Sequence, residues 1–187
     1  MDILEQPVIR TERLRLRPVR EGDAEHLFAL FANWEVMRWL SSPPWPYTRD
    51  HAAEFIDARM RPDRNFITAV IVRDDTFIGS LGAIVKPASA NQRERGYNLG
   101  YWLGEPYWGH GYMSEAARAF VTYVFAAIPD NAIYSGAFVG NEASLRIQHK
   151  LGFEHDGNAT LSSNPNGKEM PHVSTVLTRQ RFAALNG

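Results

Sequence analysis

Hydrophobic positions change period several times along the chain, and each change marks an element. The run Thr11-Glu12-Arg13-Leu14-Arg15-Leu16-Arg17-Pro18 alternates polar and apolar residues, as a half-buried strand does, and Pro18 and Gly22 end it. Asp23 offers an N-cap for a helix whose Leu27, Leu30, Phe31 and Trp34 fall at helical spacing, with Trp34 expected in the core. A short helical patch over 36–40 leads into the proline-dense loop 41–47. Thr48 then caps a predicted helix over 49–60, with Ala52, Phe55, Ile56 and Met60 on one face. Residues 65–72 and 76–85 read as a β-hairpin around Asp74-Asp75, and a strand over 96–103 follows the polar loop 89–95.

The clearest element comes next. Met113, Ala116, Ala117, Phe120, Val121, Val124 and Phe125 form a continuous i, i+3, i+4, i+7 stripe, which Pro129 stops. Residues 132–139 read as a strand, Asn141 caps a helix to about Leu151, and Gly152 supplies a left-handed C-terminal position. The stretch from Phe153 onward and residues 172–177 read as two closing strands. The order β-α-α-β-β-β-α-β-α-β-β predicts a mixed α/β layer in which helices cover a central sheet, with residues 1–187 as one domain.

Composition narrows the function classes. The 187 residues suffice for one substantial core. A hydrophobic fraction of 44% and a charged fraction of 22% are those of a globular chain. Lys and Arg total 20 against 21 Asp and Glu, so a net charge of −1 offers no general field for nucleic acid, and any anion site must be local. With no cysteine there is no disulfide, thiol nucleophile or thiolate metal site. His26, His51, His149, His155 and His172 are scattered without ligand spacing, so no metal is expected. The N-terminus lacks the basic and apolar regions of a signal peptide, and no apolar run approaches the ~20 residues of a membrane span. A cytoplasmic protein without membrane or nucleic-acid partners is expected.

Candidate chemistry concentrates in Tyr107-Trp108-Gly109-His110-Gly111-Tyr112-Met113, which joins the 96–103 strand to the long helix. A helix N-terminus carries unpaired amides and the positive end of the macrodipole. Glycines there remove side-chain bulk and let those amides wrap a phosphate. The same residues also read as an ordinary glycine-rich turn.

With its flanking motifs, the chain resembles the GNAT superfamily of acyl-CoA-dependent N-acetyltransferases, and within it the branch that acetylates ribosomal-protein N-termini. The resemblance rests on residues 11–18, on Gly100-Tyr101-Trp102-Leu103, on the 107–112 loop, and on Asn141-Glu142-Ala143-Ser144-Leu145-Arg146 with Lys150-Leu151-Gly152-Phe153. It implies the GNAT fold, with a mixed, mostly antiparallel sheet flanked by helices, and acetyl-CoA as acyl donor. It implies that amides of 107–113, Trp108, Gly109, His110, Gly111, Tyr112 and Met113 among them, hold the pyrophosphate. The pantetheine arm would run along Tyr101, Trp102 and Leu103, where a backbone amide polarises the thioester carbonyl. Asn141 and Ser144 would line the cofactor, and the serine or a nearby tyrosine would protonate the departing thiolate.

The general base is less legible. Asn98 stands where many relatives carry a glutamate, and an amide accepts no proton usefully. Glu94, in the 89–95 loop, is the catalytic candidate in its place; Glu105 and His110 are the others. An α-amine, with a pKa near ~8, needs a base less than a lysine near ~10.4 does. The expected acceptor is therefore a protein or peptide N-terminus, with a small-molecule amine (antibiotic, polyamine or amino acid) or a catalytically weak acyl-CoA sensor as alternatives. Trp39, Trp45 and Tyr47 would wall the acceptor site or pin the proline loop. Arg118, Arg146 and Lys150 would reach phosphates or face solvent. The resemblance covers both monomers and homodimers.

Overall fold

The computed structural model describes residues 8–61, 65–86 and 96–186. Their apolar runs condense into one eight-stranded sheet: β1 (Ile9–Arg10), β2 (Arg15–Arg17), β3 (Phe66–Arg73), β4 (Thr76–Lys86), β5 (Gly96–Leu103), β6 (Ala132–Phe138), β7 (Glu154–Ser163) and β8 (Lys168–Thr178). The spatial order is β1-β2-β3-β4-β5-β6-β8-β7, and every neighbouring pair is antiparallel except β5 with β6. The helices are α1 (Asp23–Phe31), α2 (Trp34–Met37), α3 (Arg49–Met60), α4 (Tyr112–Ala127), α5 (Glu142–Leu151) and α6 (Arg179–Asn186). This is the expected mixed, mostly antiparallel α/β architecture.

Strand β3 shows why the sheet needs covers on both sides. Residues 66–72 are all buried, apolar apart from Thr68, as a strand covered on both faces requires. Ile67, Ala69 and Ile71 pack with the α4 stripe, whereas Val70 and Val72 pack with α1, α2 and α3. The hairpin at Asp74-Asp75 turns with both residues at positive φ (47° and 61°), the backbone of a primed two-residue turn that follows sheet twist. Thr48 caps α3 as expected: its side chain accepts from the His51 amide, and His51 Nδ1 accepts in return from the Thr48 amide.

Four expectations need correction. The strand expected over 11–18 is two short strands around a turn, because the Thr11 amide donates to the Leu14 carbonyl and the Thr11 hydroxyl oxygen accepts from the Leu14 amide. Asp23 does not cap α1; Gly22 occupies that position. Its carboxylate is buried and accepts from Arg17 Nη2 at 2.6 Å, Arg17 Nη1 at 2.8 Å and the Arg20 amide at 2.8 Å. Trp34 is 38% exposed and stacks on Trp45, so it is not core. The final helix α6, absent from the sequence pattern, is tied down by Arg179, which donates to the carbonyls of Phe125, Ile128 and Asp130.

Strands β5 and β6 position the site. Their parallel register pairs Tyr97 with Ile133 and Asn98 with Tyr134 and stops, although the strands run on to Leu103 and Phe138. Beyond Asn98 the sheet is split open.

Candidate active site

A cleft of about 1220 Å³ occupies that split. Its walls are β5 from Asn98 to Leu103, the loop and first turn of α4, β6 from Tyr134 to Phe138, and the first two turns of α5. Parting two parallel strands withdraws their backbone groups from pairing with each other; Ser135 Oγ donates to the Leu99 carbonyl at the start of the split, and the opened edges suit an extended, amide-bearing ligand.

At one end stands the loop leading into α4. Gly109 and Gly111 both take left-handed conformations (φ 78° and 79°), which a residue with a Cβ adopts only at a cost. The Glu115 amide makes the first intrahelical bond, to the Gly111 carbonyl, so the amides of Tyr112, Met113 and Ser114 have no helical partner. Together they form a concavity of unpaired amides at the positive end of a 16-residue helix, an arrangement that suits an anion.

Arg13 fixes this loop from outside. Its Nη1 donates to the His110 carbonyl at 3.1 Å, its Nε to Glu115 at 2.7 Å, and its guanidinium lies 4.8 Å from the Tyr112 ring centroid. Burial alone would raise the Glu115 carboxyl, but donors from Thr11 and Arg13 outweigh it and hold it below the usual range. A depressed carboxyl contributes stability above its unfolded pKa of ~4.3 and loses it as pH falls through the folded value. Arg13→Ala is thus expected to lower Tm at pH 7 by about 2–4 °C, the scale of one exposed charged contact. The difference from the parent should close below pH ~4 in a series of thermal melts.

The far wall carries a hydroxyl network. Asn141 caps α5 by accepting from the Ser144 amide, which places Ser144 at the third helical position facing the cleft. Ser144 Oγ lies 3.0 Å from the Tyr101 hydroxyl, and Gln148 Nε2 donates to both oxygens, at 3.1 and 3.3 Å. Gln148, 1% exposed, also donates to the Gly136 carbonyl and accepts from Thr175. Burial pushes the Tyr101 phenol up against the opposing pull of its bonds to Ser144 and Gln148. It is therefore a neutral O–H that can pass a proton rather than a phenolate.

The structure gathers Tyr101, Trp102, Leu103, Trp108, Gly109, Gly111, Tyr112, Met113, Asn141 and Ser144 around one cleft. His110 is not among its lining residues; its ring stacks on Tyr112, and only its backbone belongs to the loop. Glu94 lies outside the described residues. Glu105 is exposed, accepts from Asn33 Nδ2 and does not line the cleft. Of the aromatic trio, Trp39 lines the cleft, Tyr47 is buried against Phe31, and Trp45 packs on Trp34. The proline loop is thus pinned by Trp45 and Tyr47, with Trp39 left as cleft wall. Arg146 and Lys150 reach the lining and Arg118 does not. Sequence reasoning passed over Gln148, His172 and Ser174, which also line or brace the cleft. Two-residue alternation along β8 put His172 and Ser174 on one face, but nothing local said which face met the split.

Among the described residues no helix is long and apolar enough to cross a membrane, and no group of three or more His, Asp or Glu side chains could hold a metal.

A family model described as an acetyltransferase (GNAT) domain matches residues 13–154. The uncharacterised N-acetyltransferase YoaA of Bacillus subtilis (strain 168) is 32% identical over 155 residues, 81% of this chain and 85% of its own length. A second protein of that organism, named "Putative ribosomal N-acetyltransferase YdaF", is 29% identical over 176 residues, 91% of this chain and 94% of its own. Among solved structures, the ribosomal L7/L12 α-N-protein acetyltransferase RimL in complex with coenzyme A superposes with a TM-score of 0.76. It shares 19% identity and covers 91% of this chain and 97% of that one.

Proposed function

The chain belongs to the GNAT acetyltransferase family and transfers an acetyl group from acetyl-CoA to an amine; within that activity we propose that its acceptor is the α-amine of a protein or peptide N-terminus. The observation that carries the proposal is the poverty of carboxylates. Position 98 is an amide, and Asp156 is the one carboxylate among the described residues lining the cleft. A polyamine or aminoglycoside carries several ammonium groups and is best held by several acids. A single α-amine, partly neutral at pH 7, needs far less. The similarity to a chain named for ribosomal N-acetylation agrees with this reading.

In the proposed reaction, the amides of residues 109–114 hold the pyrophosphate and the pantetheine arm lies along the free edge of β5. A β5 amide donates to the thioester oxygen as it becomes an oxyanion. The amine nitrogen attacks the carbonyl carbon, the C–N bond forms and the C–S bond breaks. A thiol with a pKa near ~8.5 is a tolerable leaving group, so the Ser144–Tyr101 hydroxyl pair assists by giving the thiolate a proton rather than by making departure possible.

A thiol-release assay over N-terminal peptides, lysine-only Nα-blocked peptides, polyamines and aminoglycosides tests this. Turnover is expected with free α-amines, with kcat/KM at least about tenfold above that for blocked lysine peptides at pH 7, as their ammonium pKa values dictate. Preference for a small polyamine would replace the acceptor. Tight acetyl-CoA binding with no turnover on any amine would make the protein a sensor.

A further inference from the structure

The missing carboxylate at position 98 leaves the proton of the acceptor ammonium without an evident destination. Two side chains among the described cleft-lining residues, a carboxylate and an imidazole, are candidates to receive it: Asp156 and His172. Asp156 is an exposed residue at the bulge of the edge strand β7, between His155 and Gly157. An ordinary carboxylate, with a pKa near ~3.9, is a poor match for an ammonium, whereas an imidazole near ~6.5 is a good one.

Register fixes where His172 stands. Asn98 pairs with Tyr134 across the last closed step of β5 and β6, and neighbours in register share a face of the sheet. Counting along β6 by twos, Gly136 and Phe138 lie on that same face, and Phe138 pairs with His172 of β8. The ring meets its partner Phe138 edge-on, with centroids 5.8 Å apart. It leans back toward the split, so that a Cβ built on Gly136 would meet His172 Cε1 at 2.2 Å and Nε2 at 2.6 Å. The imidazole therefore covers Gly136, about 6–7 Å along β6 from the last paired residue. Only a glycine there makes room for it.

The opposite face of the same step carries the hydroxyl pair. Gln148, which donates to Tyr101 and Ser144, also donates to the Gly136 carbonyl, and it accepts from Thr175, whose side chain alternates with Ser174 across the sheet. A carbonyl carbon held in the opening beside Gly136 would have an imidazole on one side and two hydroxyls on the other. Incoming amine and outgoing thiolate need that separation.

We propose that His172 is the general base that replaces the family glutamate. This rests on the acetyltransferase reading above. Ser174 Oγ lies 3.4 Å from His172 Nδ1, a contact in which either atom can donate, and Nε2 is a ring nitrogen turned toward Gly136. The acceptor ammonium gives one proton to Nε2. The neutral amine attacks, the C–N bond forms and the C–S bond breaks. The nitrogen loses its second proton to water, the thiolate takes one from the Ser144–Tyr101 pair, and solvent resupplies that pair. His172 then releases its proton, so the balance is one ammonium and one thioester in, one amide, one thiol and one proton out.

Other charged or titratable groups lining the cleft are Asp156 on β7, Tyr134 on β6, Tyr101 on β5, Tyr107 before α4, Tyr112 on α4, and Arg146 and Lys150 on α5. Asp156 is the group to be separated from His172 by substitution.

The pH dependence of kcat/KM with acceptors of differing amine pKa is the decisive measurement. The expected result in the parent enzyme is an acid limb in the imidazole range that stays put as the amine is changed, and a limb that tracks the amine pKa alone overturns the proposal. His172→Gln is expected to lower kcat at pH 7 by roughly 100-fold, remove the fixed limb and leave the Kd for acetyl-CoA within about twofold. A folded His172→Gln enzyme that keeps the limb, or loss of the limb in Asp156→Asn, overturns it as well. The parent profile needs no variant, so it decides the matter even if His172→Gln misfolds. Absence of turnover in the parent with every acceptor would instead sink the acetyltransferase assignment of the site.

Discussion

Gly109→Trp is expected to abolish measurable acetyl-CoA binding, a loss of more than about 100-fold, while the chain still folds. The expectation follows from two features of the loop. First, a Cβ built on Gly109 meets no heavy atom within 4 Å, so the side chain starts into open space. Second, φ at this position is +78°, so the backbone cost is the ~1–2 kcal/mol of a left-handed residue, a Tm lowered by roughly 2–8 °C in a chain this size. The indole must then occupy open space beside the amides of the α4 N-terminus. That space is where a diphosphate would sit. Calorimetric titration with coenzyme A, read together with a thermal melt, separates the two effects. Retained affinity in a folded variant would mean that the anion lies elsewhere, and the loop is only a turn.

Asp23→Ala carries the largest expected effect on stability. Side-chain exposure is 11% for Arg17 and 5% for Asp23, and the carboxylate satisfies both guanidinium nitrogens and the Arg20 amide. Removing one partner of such a pair strands the other charge away from water, at about 3–5 kcal/mol, or a fall in Tm of roughly 6–20 °C. The pair itself is not the source of that energy. Arg17→Met with Asp23→Leu, which removes both charges and keeps volume, is therefore expected to recover most of the loss. A single-variant change under about 1 kcal/mol would show that water reaches Arg17 and that the pair behaves as a surface contact.

These two sites differ in how far the sequence reveals them, for a physical reason. The glycines, the α4 stripe and Asn141 act within a few residues of themselves. Helical spacing placed Met113, Ala116, Phe120 and Val124 on one face, and all are buried. Asn141 caps α5 through an amide three residues away, and Gly152 ends that helix at φ 99°. Asp23 looked equally local, since an acid at a helix start is usually a cap, but Arg17 outcompeted the amides for its carboxylate. Trp34 sat at core spacing yet fell past the end of α1, where the chain turns into α2 and the indole meets Trp45.

The order of α1 to α5, the hairpin, the glycine loop into α4 and the capping of α5 were therefore determined by the sequence alone, because hydrophobic period, backbone φ and caps are properties of short stretches. The place where the sheet splits was decided only in three dimensions. Nothing in Gly96–Leu103 says that pairing with β6 ends at Asn98, since that depends on a strand more than thirty residues away. The split alone gives Tyr101 a hydroxyl partner in Ser144, and the return of β8 beside β6 alone brings His172 over Gly136. Long-range register converts scattered polar residues into a site, and register is set by the whole sheet.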